Sequence, residues 1–186
     1  MEDILNKRIF ITGVYGVGKS TLCRELSKRF RFEYLKSSYL IYEYLKKQPP
    51  KDKRISDIGF NQNALIKALR DHVSMESDQI LEGHTCLLNE QNVVKRIPEE
   101  VFDQLDLSGI ILVTRDIFAV SNDLCSRDGI RYNVEVLEKM QQEEIVYTQI
   151  LSQRLDIPLL RIQYKTVENV ENDEKIRKIS EFFRLK

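Results

Sequence analysis

The sequence predicts an α/β fold of three layers, a mainly parallel sheet of about five strands with helices on both faces. Three observations carry that expectation. Short apolar, β-favouring runs alternate along the chain with segments of helical periodicity, which requires crossover connections and parallel strands. The run Gly109-Ile110-Ile111-Leu112-Val113-Thr114 is apolar without alternation, as in a strand buried on both faces. Finally, Gly13-Val14-Tyr15-Gly16-Val17-Gly18-Lys19-Ser20-Thr21 sets a glycine-rich turn between one such strand and one such helix.

The first strand is Arg8-Ile9-Phe10-Ile11-Thr12. The turn after it reads G-x-x-x-x-G-K-S, the P-loop pattern, with an extra glycine at Gly16. A triphosphate must be wrapped by backbone N–H groups, and bare backbone at Gly13, Gly16 and Gly18 brings them close enough. The whole stretch, with Val14, Tyr15, Val17 and Thr21 between and after the glycines, is the candidate ATP-binding segment. Lys19 is expected between the β- and γ-phosphates and the Ser20 hydroxyl on a bridging Mg²⁺, with the positive end of the next helix behind them. An ordinary glycine turn is the alternative, and the flanking strand and helix weigh against it.

Leu22, Cys23, Leu26 and Phe30 space out the first helix, and Phe32-Glu33-Tyr34-Leu35 reads as the second strand. Ser37-Ser38 offers an N-cap for a helix from Tyr39 to Lys47, which Pro49-Pro50 stops. Lys46 to Arg54 is a basic, proline-broken loop: solvated surface, or a mobile segment that meets an anionic acceptor. From Asn61 to Met75, Ala64, Leu65, Ala68, Leu69 and Val73 form one helical stripe, with His72 a structural residue on its flank. Gln79-Ile80-Leu81-Glu82-Gly83-His84 is a strand with an acid and a histidine at its end. An irregular stretch with one short helix near Pro98-Glu99-Glu100 leads to the strand at Gly109. Arg115-Asp116 opens another short helix, which the polar loop Ser126 to Tyr132 breaks. A long helix from Val134 to Leu155 buries Leu137, Met140, Ile145, Leu151 and Leu155. Pro158 to Ile162 is the last strand, and Ile176, Ile179 and Phe183 mark a closing helix.

At 186 residues the chain, 1–186, is expected to be a single domain. Lys plus Arg and Asp plus Glu both total 29, so the balance gives no basic footprint for nucleic acid or an anionic membrane. The 3 cysteines, Cys23, Cys86 and Cys125, lack metal spacing and fit reduced thiols. With no signal-like or membrane-spanning run, the expectation is a soluble, cytoplasmic protein, a protein partner being left open.

The P-loop, the helical segment between the second and third strands, the Glu82-x-His84 strand end and the arginine loop before a long helix together resemble nucleoside monophosphate kinases. The chain is most similar to the archaeal-type adenylate kinases and the related adenylate-kinase-like nuclear factor, over nearly all its length from Arg8 to about Phe183. The resemblance implies an acceptor-binding segment at 37–75, with Ser37, Ser38 and His84 on the acceptor, and a short lid at 126–133. Relatives typically carry Asp-x-His where this chain has Glu82-Gly83-His84. Their lid arginines contact the phosphates, and the matching position is Arg127, with Arg131 nearby. Two positions depart: Tyr39-Leu40-Ile41-Tyr42 stands where many adenylate kinases carry an AMP-binding arginine, and Asp123 where they place an arginine on the donor adenine.

Read by their own chemistry, Glu82 sits where α/β sheets collect ligands, to hold a magnesium-bound water or orient the acceptor, or else to pair with Lys19. Arg127 and Arg131, four apart in a glycine-containing loop, either swing over a transferring phosphoryl group or form a solvated hinge. His84 is either an acceptor contact or a structural histidine. The expected function is ATP- and Mg²⁺-dependent phosphoryl transfer to a nucleoside monophosphate, AMP first. The alternatives are a P-loop kinase of another small molecule and a switch or assembly factor that hydrolyses ATP.

Overall fold

The structure is a computed structural model that describes residues 7–48, 58–74, 76–129, 131–164 and 169–185. In chain order its elements are β1 (Arg8–Thr12), α1 (Lys19–Phe30), β2 (Glu33–Lys36), α2 (Ser37–Tyr44), α3 (Ile58–His72), β3 (Gln79–Glu82) and β4 (Cys86–Leu88). They continue with β5 (Val94–Arg96), α4 (Glu99–Asp103), β6 (Gly109–Arg115), α5 (Ile117–Asp128), α6 (Val134–Leu155), β7 (Leu159–Tyr164) and α7 (Asn169–Phe183).

Five strands form one sheet in the order β2-β3-β1-β6-β7, every neighbouring pair parallel. Side chains alternate across a strand, so β1 sends Ile9 and Ile11 into the core under α1, α5 and α7 and Phe10 into the core under α2, α3 and α4. β6 does the same with Ile111 and Val113 against Ile110. Both strands are buried on both faces, as their unbroken apolar runs require. The three-layer α/β expectation therefore holds.

Between β3 and β6 lies an antiparallel hairpin, β4–β5, where the sequence showed only an irregular stretch. Its strands are three residues long, too short for a periodic signal. Asn89 closes its turn by accepting from Gln91 N at 3.0 Å and Val93 N at 2.8 Å.

Other differences are local. Ser37 and Ser38 are not N-caps: β2 runs straight into α2, so the capping position falls on Lys36 in extended backbone and the two serines are the first helical residues. The Pro49-Pro50 stop, most of the basic loop and Met75 lie outside the described residues. His72 is exposed, and its ring is tilted at 54° to that of Tyr44 with 5.8 Å between ring centroids. On α6 the inward stripe is Leu137, Met140, Glu144, Tyr147 and Leu151, in 3–4 spacing, whereas Ile145 and Leu155 are only half-buried.

The polar connection between α5 and α6 is shorter than the sequence suggests. Asp116 caps α5 by accepting from Ala119 N at 2.9 Å, and the helix runs to Asp128, ending on Gly129 at φ 67°. Arg127 thus stands in the last helical turn rather than in a loop, because Gly129 closes a helix instead of opening a coil. Ile130 lies outside the described residues. Asn133 then caps α6, accepting from Glu135 N at 2.8 Å.

Candidate active site

The P-loop leaves β1 at Gly13, whose φ is 141° and whose Cβ, if it had one, would lie 2.2 Å from the Val113 carbonyl oxygen. Only glycine fits a backbone so twisted and so close to the neighbouring strand. At Gly16, φ 74°, a Cβ would press to 2.8 Å from Leu124 Cγ, so α5 lies directly against the loop. Val14 and Val17 turn into the core, whereas Tyr15, Gly16, Gly18, Ser20 and Thr21 face a cleft of about 1050 Å³. No side chain caps α1 and no acid lies in its first turn, so the positive end of the helix is available to an anion.

Lys19 is buried, 5% exposed, and its ammonium donates to the Gly13 and Val14 carbonyls at 2.7 and 2.9 Å. The Ser20 hydroxyl donates to Glu82 Oε1 at 2.8 Å, and the Tyr34 hydroxyl donates to Glu82 Oε2. Burial pushes the Glu82 carboxyl up, but the Lys19 ammonium and the two hydroxyls more than reverse it, leaving it below the usual carboxylate range. Strand pairing explains the meeting: β3 lies beside β1 with Glu82 level with Ile11, so its side chain arrives at the mouth of the loop.

Behind this group sits Glu144, a residue the sequence reading passed over. It is 0% exposed on α6. It accepts from Thr12 Oγ1 at 2.6 Å, Thr85 Oγ1 at 2.7 Å, Thr85 N at 3.1 Å and Cys86 N at 3.2 Å. His84 Nδ1 lies 3.6 Å from its Oε1, too long for a hydrogen bond, and the imidazole packs 4.5 Å from the Tyr15 ring. Burial, then Lys19, lower the His84 pKa against the opposing pull of Glu144. Burial raises the Glu144 carboxyl, and His84, Thr12 and Lys19 bring it below its ordinary range.

The far wall of the cleft belongs to α2 and α3, with Lys36, Ser37, Ser38, Tyr42, Asn61 and Gln62. The Ser37 hydroxyl is buried without a hydrogen-bond partner among the described residues. The cleft is also lined by the apolar side chains Phe10, Leu65, Leu87, Ile97 and Phe102, with Phe10 against Gly83. On the α5 side stand Arg115, Asp123, Arg127 and Asp128. Arg127 forms a two-pronged pair with Asp128, at 2.6 and 2.8 Å.

Of the residues the sequence singled out, Lys19, Ser20, Glu82, His84, Ser37, Ser38 and Arg127 therefore share one cleft. Arg131 is exposed and does not line it. Tyr34, Lys36, Arg115 and Glu144 join the site from the structure. The 3–4 stripe of α6 was the one available signal for Glu144, since it places position 144 among apolar core residues.

A parallel, helix-covered sheet with a glycine-lined loop between its central strand and a helix, and a buried lysine inside that loop, defines a P-loop nucleotide-binding fold. The sequence matches the AAA domain family over residues 12–138, more than half of the chain, and the protein belongs to that family. No curated protein matches it in sequence. Among solved structures, a shikimate kinase from Bacteroides thetaiotaomicron is similar with a TM-score of 0.56 at 13% identity, covering 96% of this chain and 99% of that one. A gluconokinase from Sinorhizobium meliloti is similar at TM-score 0.52 and 10% identity, covering 97% of each chain. A sugar kinase from Janibacter sp. is similar at TM-score 0.56 and 12% identity, covering 97% of this chain and 95% of that one. At such identities these likenesses show the fold alone. Among the described residues no helix is long and apolar enough to cross a membrane.

Proposed function

We propose that the protein is an ATP-dependent kinase that transfers the γ-phosphoryl group to a small molecule. The observation that carries this reading is the shared cleft: Lys19, Ser20 and Glu82 on one wall, Ser37, Asn61 and Gln62 on the other. A hydrolase needs room for water alone, whereas a cleft of about 1050 Å³ accommodates two substrates side by side.

The loop from Gly13 to Thr21 would bind the donor phosphates through its N–H groups. Lys19 would exchange the Gly13 and Val14 carbonyls for phosphate oxygens and neutralise charge that grows in the transition state. The donor set also fits Mg²⁺, which shares its shell with substrate phosphates: Ser20 would ligate it directly and Glu82, already bonded to Ser20, through water. Among the described residues no cluster of three or more His, Cys, Asp or Glu would hold a metal ion. Bound there, Mg²⁺ would offset the charge of the donor phosphates. Arg127 would leave Asp128 for the phosphoryl group, the α5–α6 connection acting as the lid, and the segment 37–75 would hold the acceptor within one domain.

The shikimate kinase, gluconokinase and sugar kinase of similar fold support a small hydroxylated acceptor. A nucleoside monophosphate, AMP first, is the second reading, favoured by the apolar side chains Phe10, Leu65, Leu87, Ile97 and Phe102 in the cleft lining, which suit a nucleobase better than a polyol. Purified protein with ATP and Mg²⁺ is offered shikimate, gluconate, AMP, CMP, GMP, UMP and dTMP separately, and products are resolved by chromatography. One of them should accelerate ADP formation at least tenfold and appear phosphorylated. Slow phosphate release indifferent to every acceptor would favour the ATP-hydrolysing switch.

A further inference from the structure

The mechanism above leaves one buried cation of the cleft without a task. Arg115 ends β6 at the carboxyl edge of the parallel sheet, where ligands of such sheets gather, next to the P-loop strand. Its backbone is pinned from α6: the Arg115 N–H donates to Gln141 Oε1 at 3.1 Å, and Gln141 Nε2 donates to the Arg115 carbonyl at 3.0 Å. The side chain therefore leaves a fixed point. It is 10% exposed and lines the cleft beside Lys19 and Arg127.

Its partnering is incomplete. Nη1 donates to Asp123 Oδ2 at 2.6 Å, while Nε is buried with no hydrogen-bond partner among the described residues. A guanidinium carries five donors in a planar fork and is best satisfied by two parallel bonds to one oxyanion. Asp123 is 56% exposed, so water solvates it when the arginine leaves. Asp123 and Arg127 lie four apart on one face of α5, and Leu124 between them touches the P-loop at Gly16. The same helix face thus holds Arg115 in reserve and delivers Arg127.

We propose that Arg115 is a further phosphate-binding arginine of this cleft, which exchanges Asp123 for the terminal phosphate of the donor nucleotide. Asp123 is then a positioning residue that parks the guanidinium at the cleft wall and competes with the nucleotide for it. The inference rests on the P-loop as the donor site but not on the identity of the acceptor, and binding alone tests it.

ATP and ADP affinities are measured by calorimetry, with Mg²⁺ present, for the wild type, Arg115→Ala, Arg115→Lys and Asp123→Asn, each first checked for an unchanged melting transition. Arg115→Ala should weaken ATP at least tenfold and leave ADP within about twofold, with Arg115→Lys between the two. Asp123→Asn, which removes the competitor, should bind ATP as well as or better than the wild type. If Arg115→Ala proves too unstable, the Arg115→Lys and Asp123→Asn results decide alone. Equal losses for ATP and ADP, no loss for either, or weaker ATP binding by Asp123→Asn would each overturn the assignment. A wild type that binds neither nucleotide would overturn the donor site itself, a result distinct from all of these.

Discussion

Replacing Glu144 with Gln tests whether the buried carboxylate ties the P-loop strand to the histidine turn. The carboxylate accepts four hydrogen bonds, two from threonine hydroxyls and two from backbone N–H groups, and has no exposure to water. A glutamine keeps one acceptor oxygen: with its NH₂ on the Oε2 side both threonine hydroxyls lose their acceptor, and with it on the Oε1 side both backbone N–H groups do. With about 1–3 kcal/mol for each buried donor left unsatisfied, the loss is about 3 kcal/mol. For a chain of 186 residues that corresponds to a melting point lower by about 6–12 °C. The sign of the pH dependence follows from the depressed carboxyl. Its contribution is fully present above the unfolded value of 4.5 and is lost as pH falls through the lower native value. Scanning calorimetry of both proteins from pH 7 to well below pH 4 should therefore show a constant gap above about 4.5 and a narrowing gap as pH falls further. A variant melting within a degree or two of the wild type at pH 7 would refute the argument.

Two further predictions concern the transfer itself. Lys19→Ala removes a cation needed more in the transition state than in the ground state, so turnover should fall by about 10²-fold or more while nucleotide affinity, read by titration, falls less. Arg127→Ala should leave the melting temperature within about 2 °C, since its side chain is 53% exposed, yet lower turnover at least about tenfold; a destabilised variant with normal specific activity would make Arg127 structural.

Where the sequence was legible, local chemistry and tertiary position agreed. The P-loop, its strand and its helix were readable because glycine spacing, an apolar run and helical periodicity are all local signals, and β1 and α6 have the boundaries they imply. The hairpin escaped because three-residue strands leave no period. Ser37 misled because a serine before a helix reads as a cap, whereas here the strand enters the helix without a linker and the hydroxyl faces the cleft. Arg127 misled for a related reason: Asp128-Gly129 reads as a turn whether it opens a loop or closes a helix. Glu144 and Arg115 were missed because their partners are distant in sequence or lie across an element boundary. Thr12 is 132 residues from Glu144, and a charged residue on an amphipathic helix ordinarily faces water.

The fate of the γ-phosphoryl group tests the central claim most directly. ATP labelled in its γ-phosphate is incubated with the protein, Mg²⁺ and the acceptor that most accelerates ADP formation, and the label is followed by chromatography. The account predicts label in an organic phosphate in equal amount to the ADP formed, and loss of that product in Lys19→Ala. Label recovered only as inorganic phosphate, whatever the acceptor, would contradict it.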